Sequence, residues 1–299
     1  MRKIKIIADS CSDLSKELLE KYDIDYAKMT TVYNGVESPA DLYWSQEDAH
    51  KYYDIMRNGE RITTAQVSME EFQNIFSKYL NEGYDIIYIA CSSKQSSSVN
   101  TGNVVANKLL EENADAKITC IDSLNASLGI ALLAVEASKM VNAGQDYDTV
   151  VNNVISLRKK INQFVTVHSL TFLKRAGRVK GAAAFFGNLM GVKPILISDA
   201  NGEQAAYKKV KGRQNSFNEI VSMLKSVIKD PENQTVYIAH ADCSQEEIDT
   251  LVSLVKAQIN CKDVFVGCIG PIIGASIGPD AVGVWGIGEE VTFINGETK

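Results

Sequence analysis

Ile86-Ile87-Tyr88-Ile89-Ala90-Cys91-Ser92-Ser93-Lys94-Gln95-Ser96-Ser97-Ser98 is the stretch that decides the fold. Its first six residues form an unbroken apolar run of strand length, and the next seven contain five serines. From 98 to 112 apolar residues return at helical spacing. A buried strand, a polar turn and a helix in that order are the building unit of an α/β protein with mainly parallel sheets.

The same alternation continues on both sides. Short apolar runs at 4–8, 118–121, 164–167, 195–197, 236–239 and 264–268 read as further strands. Segments 68–81, 126–143, 147–162, 214–228 and 244–259 have helical period. Ser12-Asp13-Leu14-Ser15 is expected to open the first helix, and Ser244 to Glu247 reads as a capping box. Asn201-Gly202 between two apolar runs predicts a hairpin. Composition shifts near 162–169 without a flexible linker. The expected architecture is therefore two packed α/β domains with mainly parallel sheets, 1–165 and 166–299, with a cleft between them.

Bulk properties narrow the function. The chain has 299 residues, 45% hydrophobic and 23% charged, with a net charge of −6. That is the composition of a globular protein with a full core, and it argues against a general nucleic-acid binder. No apolar run reaches the ~18–20 residues of a membrane span. The amino terminus lacks the apolar core of a secretory signal. Six cysteines without a C-x-x-C pair fit a reduced, cytoplasmic setting. The three histidines are isolated, and no metal site is expected.

Two hydroxyl-rich clusters carry the chemistry: Ile62-Thr63-Thr64-Ala65-Gln66-Val67-Ser68 and Ser92 to Ser98. Each precedes a helix, with Ser68 the expected cap of its own, where backbone N–H groups and hydroxyls favour an anion. Neither is a phosphate-binding Gly-Lys-Ser/Thr loop or a G-x-S-x-G elbow. Such a pair can hold a polar head group while doing little chemistry on it. Asp9-Ser10-Cys11-Ser12-Asp13-Leu14 either caps a helix or sits at the ligand end of the first strand, where Asp9 would orient the hydroxyls. The glycines between 267 and 279 lack G-x-G-x-x-G and are read as points of close backbone approach, with Ser276 adding a hydroxyl.

A lipid carrier would run its tail past Phe185, Phe186, Leu189, Met190, Ile272 and Ile273. Burying about fourteen methylenes at ~0.8 kcal/mol each outweighs the few kcal/mol of two or three neutral hydrogen bonds. The tail would supply affinity and the hydroxyls position. A small-molecule enzyme using the same strand ends, or a binder of another amphipathic ligand, remains open on the residues alone.

Asp9 to Leu14, Thr64-Ala-Gln-Val-Ser68, Ser92-Ser-Lys-Gln-Ser96, Asp122-Ser123, Leu173-Lys-Arg-Ala-Gly-Arg178, Lys193-Pro-Ile-Leu196 and Gly278-Pro279 resemble, in this order and over nearly the whole chain, the DegV family. The resemblance implies a two-domain α/β protein that binds a long-chain fatty acid (C16–C18), needs no cofactor and is not itself catalytic. It would be the acyl-carrying subunit of a fatty-acid kinase, whose separate ATP-dependent partner phosphorylates the carboxylate. Thr64 matches the threonine of the family's Thr-Ser-Gln-Pro-Ser signature. With Ser93 and, next in order, Ser96 it would hold the carboxylate, while Arg175, Arg178 and Arg213 would meet the kinase. Three positions depart from the pattern. The signature proline is Val67, the glycine and threonine usual after Ser96 are Ser97 and Ser98, and the histidine before the final Gly-Pro is Ser276.

Overall fold

The computed structural model describes residues 2–180 and 191–296. The deciding stretch folds as read, with strand Tyr84–Ala90, a serine turn and helix Ser98–Glu112. This strand belongs to a four-stranded sheet in the order Ile24–Ala27, Lys3–Asp9, Tyr84–Ala90, Ile118–Asp122, in which every pairing is parallel. Ile7, Ala8 and Ile86 to Ala90 are fully buried, as strands covered on both faces must be.

The second sheet has seven strands, in the order Asp263–Cys268, Thr235–His240, Val282–Ile287, Ile161–Thr166, Val192–Ser198, Gln204–Lys211, Val179–Lys180. It is mixed. Its outermost pairings are parallel and the four inner ones antiparallel. The Asn201-Gly202 hairpin forces one of these, since a tight turn can join only antiparallel neighbours. The strand Ile161–Thr166, at whose end the boundary near 165 falls, is the central strand of this sheet.

A third sheet, Val36–Pro39, Thr30–Tyr33 and Thr63–Ala65, is small and antiparallel. No residue in it is fully buried, so apolar periodicity does not announce it.

Helix Leu128–Asn142 packs against strands of both large sheets. Its buried positions include the continuous run from Leu128 to Val135, so it is apolar all round, as a helix enclosed between two layers should be.

Local capping agrees in part. Ser68 caps Met69–Asn81 by accepting from the Glu71 N–H at 3.0 Å. The first helix starts later than its sequence suggests. Ser10–Ser12 forms a short 3-10 turn, Asp13 adopts a left-handed φ of 53°, and Ser15 caps Lys16–Lys21. Ser244 accepts from the Glu247 N–H, but the Glu247 carboxylate does not return to the cap. It takes the Arg213 guanidinium at 2.7 Å, a charge-assisted bond that outcompetes a neutral one.

Three contacts lock the two large sheets together. The Tyr52 and Tyr53 hydroxyls of helix Gln46–Arg57 donate to the carbonyls of Pro271 and Ile269, each at 2.7 Å. Arg57 pairs with Asp242 at 2.6 Å and Asp280 at 2.8 Å. The hairpin turn is the third, with the buried Ser92 hydroxyl donating to the Gly202 carbonyl at 2.8 Å.

Candidate functional site

Parallel pairing brings Asp9 and Ala90 to the same edge of the first sheet, so the turns that follow them are neighbours. Asp9 fastens the two. Its carboxylate accepts from the backbone N–H groups of Cys11 (3.0 Å) and Cys91 (2.9 Å) and from the Tyr88 hydroxyl (2.9 Å). Burial raises its pKa, and the three donors work against that rise. The Thr63–Ala65 segment is tied to the serine turn in turn. The Val67 N–H donates to Ser98 Oγ at 3.2 Å, and the Gln66 amide to Thr101 Oγ1 at 2.8 Å.

Between these turns, helix Pro271–Ile277 and the face of the second sheet lies a chamber of about 580 Å³. Thr64, Ser93, Ser96 and Ser276 all border it, and so do Ile272 and Ile273. The hydroxyls of Thr64, Ser93 and Ser276 have no hydrogen-bond partner among the described residues, which leaves them free for a ligand. Ser96 is shared, bonding Ser98 Oγ at 2.9 Å and taking the Ser98 N–H at 3.2 Å. Ser97, before helix Ser98–Glu112, makes no side-chain cap, and the first N–H of that helix goes to Ser96 Oγ instead. The apolar wall comes from Val165, Leu196 and Trp285 of the second sheet, with Ala126 and Ile269.

Phe185, Phe186, Leu189 and Met190 lie outside the described residues. Of the three arginines, Arg178 borders the chamber. Arg175 joins it and Arg61 around an adjoining hollow of about 80 Å³ that shares Thr64 and Ser276 with the chamber. Arg213 borders neither. Its guanidinium is engaged by Glu247 and lies 4.6 Å from the Phe217 ring centroid.

No carboxylate or imidazole is among the described residues bordering the chamber, and the cations there are Lys94 and Arg178. Cys11 and Cys91 sit side by side, with Sγ atoms 3.2 Å apart. That hydrogen bond, together with burial, holds the Cys11 thiol well above the usual range, so it offers no thiolate at neutral pH. The arrangement can orient an acidic head group through neutral donors and cations. Among the described residues it provides no carboxylate–imidazole acid–base pair. His50, Asp54 and Asp242 also converge on the surface, but Arg57 already occupies both carboxylates, at 3.0 and 2.6 Å.

Sequence reading passed over Gln163, Gln204 and Trp285, which line the chamber with 5%, 9% and 1% exposure. A signal was present. Gln163 lies two residues before Val165 and shares its inward face, so it is a polar residue at a core position of a strand.

Asp13 joins the first turn to the loop before helix Pro271–Ile277. Its carboxyl accepts from the Ser127 hydroxyl and from the Gly270 N–H, the latter at 2.8 Å. Burial pushes it up to about 7 despite both donors. Between about pH 4 and pH 7 the folded chain holds a proton there that the unfolded chain has released. Stability should therefore fall as pH rises through this window. Asp13→Asn keeps an acceptor for Gly270 and offers a donor to Ser127. It should flatten the decline of the melting midpoint between about pH 4 and pH 7, and an unchanged slope would remove Asp13 as its source.

The model of the family described as uncharacterised protein, DegV family, matches residues 3–289. A DegV domain-containing protein of Clostridium perfringens is 33% identical over 299 residues, covering 100% of this chain and 99% of its own. The crystal structure of a DegV lipid-binding protein from Thermotoga maritima has a TM-score of 0.83 at 26% identity and covers 97% of this chain and 100% of its own. A second Thermotoga maritima structure, said to reveal a fatty acid binding function, has a TM-score of 0.82 at 26% identity, with 95% and 99% covered. A family match across nearly the whole length, together with a full-length relative at one-third identity, means that this chain belongs to the DegV family.

Proposed function

We propose that the protein binds a long-chain fatty acid (C16–C18) in the chamber. Its carboxylate would sit on Thr64, Ser93, Ser96 and Ser276, and its tail along Val165, Leu196, Ile272, Ile273 and Trp285. The observation that carries this reading is a single chamber bordered by both hydroxyl clusters at once and walled by apolar side chains. Its volume is in the range of small-molecule sites. The lipid-binding and fatty-acid-binding relatives from Thermotoga maritima support the same ligand class.

In the fuller form of the proposal the carboxylate is presented to a separate ATP-dependent kinase, which docks over Arg175 and Arg178 in the cytoplasm and forms the acyl phosphate. The free hydroxyls hold the acid without reacting with it, and the hollow bordered by Arg61, Arg175 and Arg178 against the single carboxylate of Glu60, among the described residues, is the net cationic side of the head group. Native mass spectrometry of the purified protein should show a co-purifying C16–C18 acid. Thr64→Ala and Ser93→Ala should each keep the lipid and lower acyl-phosphate formation with a cognate kinase about tenfold or more. Normal turnover by both variants would refute the head-group assignment.

A second reading, binding uncoupled from any kinase, is favoured by one position. Ser276 puts a neutral hydroxyl where the resemblance implies an imidazole. A delipidated and reloaded protein that holds fatty acid but yields no acyl phosphate with any kinase partner would support it.

A further inference from the structure

The small hollow beside the chamber is assembled from separate parts of the chain. Arg61 stands just before strand Thr63–Ala65, which supplies Thr64. Arg175 lies in the last turn of helix Leu170–Ala176. The left-handed Gly177 that ends this helix, at a φ of 65°, turns the chain so that Arg178 borders the same hollow. Helix Pro271–Ile277 brings Ser276.

Size limits what can enter. The hollow measures about 80 Å³, and at ~30 Å³ per water that is room for about two or three waters. One compact tetrahedral group fills it, and a nucleotide does not fit. Thr64 and Ser276 border the hollow and the chamber alike, so a group placed here adjoins the head of a chain in the chamber.

The charge exceeds what a fatty acid calls for. Three arginines border the hollow with one carboxylate among the described residues, Glu60, which accepts from the Tyr33 hydroxyl at 2.5 Å. Arg61 and Arg175 are exposed, and their guanidinium groups make no hydrogen bond or ion pair among the described residues. Arg178 spends one nitrogen on the Ala176 carbonyl at 2.7 Å. A carboxylate brings a single negative charge, for which the hydroxyls of Thr64, Ser93 and Ser276 already offer donors. A phosphoryl group brings about −1.5 to −2 near neutral pH and three acceptor oxygens, the complement of several guanidinium forks.

The geometry points to a phosphoryl subsite in this hollow, held by Arg61, Arg175 and Arg178 beside the carboxylate position. The inference rests on the fatty-acid reading above and extends its ligand class to a phosphorylated head group. The phosphoryl group is either borne on the chain or free inorganic phosphate. A chain-borne group avoids setting a second anion against a carboxylate.

The test titrates delipidated protein with a C16 acid, with the alkylphosphonic acid of the same chain, and with inorganic phosphate alone. The phosphonate should bind about tenfold or more tightly than the acid, and on the unmodified chain its affinity should fall more steeply with added salt. Arg61→Gln and Arg175→Gln should each bring the ratio of phosphonate to acid affinity toward one. Melting midpoints recorded alongside confirm that both variants fold. Binding of inorganic phosphate that Arg61→Gln abolishes, without a gain for the phosphonate, would keep the subsite and name free phosphate as its occupant. Equal affinities for acid and phosphonate, with no phosphate bound, would overturn the inference and leave the fatty-acid reading standing. A phosphonate preference that survives the loss of both arginines would overturn it as well. Failure of acid and phosphonate alike to bind would remove the fatty-acid reading and the inference built on it.

Discussion

Ala126→Phe should lower the affinity for a C18 acid about a hundredfold while leaving the protein folded. Ala126 borders the chamber just before helix Leu128–Asn142 and is 5% exposed. A ring at this position should enter the chamber that Ala126 borders, which would spare most of the usual ~1–3 kcal/mol of overpacking in a filled core. Its cost falls on the ligand. Displacing roughly four methylenes at ~0.8 kcal/mol each removes about 3 kcal/mol of binding, or two orders of magnitude. Titration of delipidated variant and parent, with melting midpoints recorded alongside, checks both halves. Unchanged affinity in a folded variant would mean that the tail does not pass Ala126. A fall of only two- or threefold would mean that it passes at the margin.

Gly202→Ala should cost about 2–4 kcal/mol of stability, far more than the same change at Gly35. Both glycines have left-handed backbones, with φ of +81° and +78°. At Gly35 an added Cβ meets nothing within 4 Å, so only the conformational strain of about 1 kcal/mol is felt there. At Gly202 the same atom would lie 2.4 Å from Ser92 Oγ and 2.8 Å from Leu124 Cα. The hairpin would have to lift off the serine turn, breaking the bond from Ser92 to the Gly202 carbonyl and the longer one from the Gln95 amide at 3.4 Å. Since Ser93 follows Ser92, acyl-phosphate formation with a cognate kinase should fall as well. Urea unfolding midpoints of the two variants provide the comparison. Equal losses at Gly35 and Gly202 would show that the hairpin is not a clamp between the sheets.

Legibility in the sequence followed burial. The runs around Ile7 and Ile87 are covered on both faces, so each is a block of apolar residues that cannot be mistaken for a surface. Helix Ser98–Glu112 starts and stops where its pattern does. The strand Thr63–Ala65 shows the opposite case. It carries Thr64 but packs too shallowly to leave an apolar signature, and the Thr-Thr dipeptide stands out by its hydroxyls alone. The parallel–antiparallel mixture of the second sheet was likewise unreadable, because an apolar run has no direction.

The chain's own letters determined the α/β alternation, the serine turn at a strand end and the hairpin at Asn201-Gly202. Local pattern is sufficient for these, because each depends on residues within one element or one turn. The tertiary structure supplied the physical reason to separate Ser92 from Ser93. The two are chemically identical and adjacent, yet the first is buried and bound to Gly202 while the second is exposed and unbonded. Tertiary structure alone also set Gln163 opposite Trp285, 122 positions apart, both on the chamber wall. Side-chain roles of this kind are fixed by what the rest of the chain brings within about 3 Å, and sequence spacing holds no record of that distance.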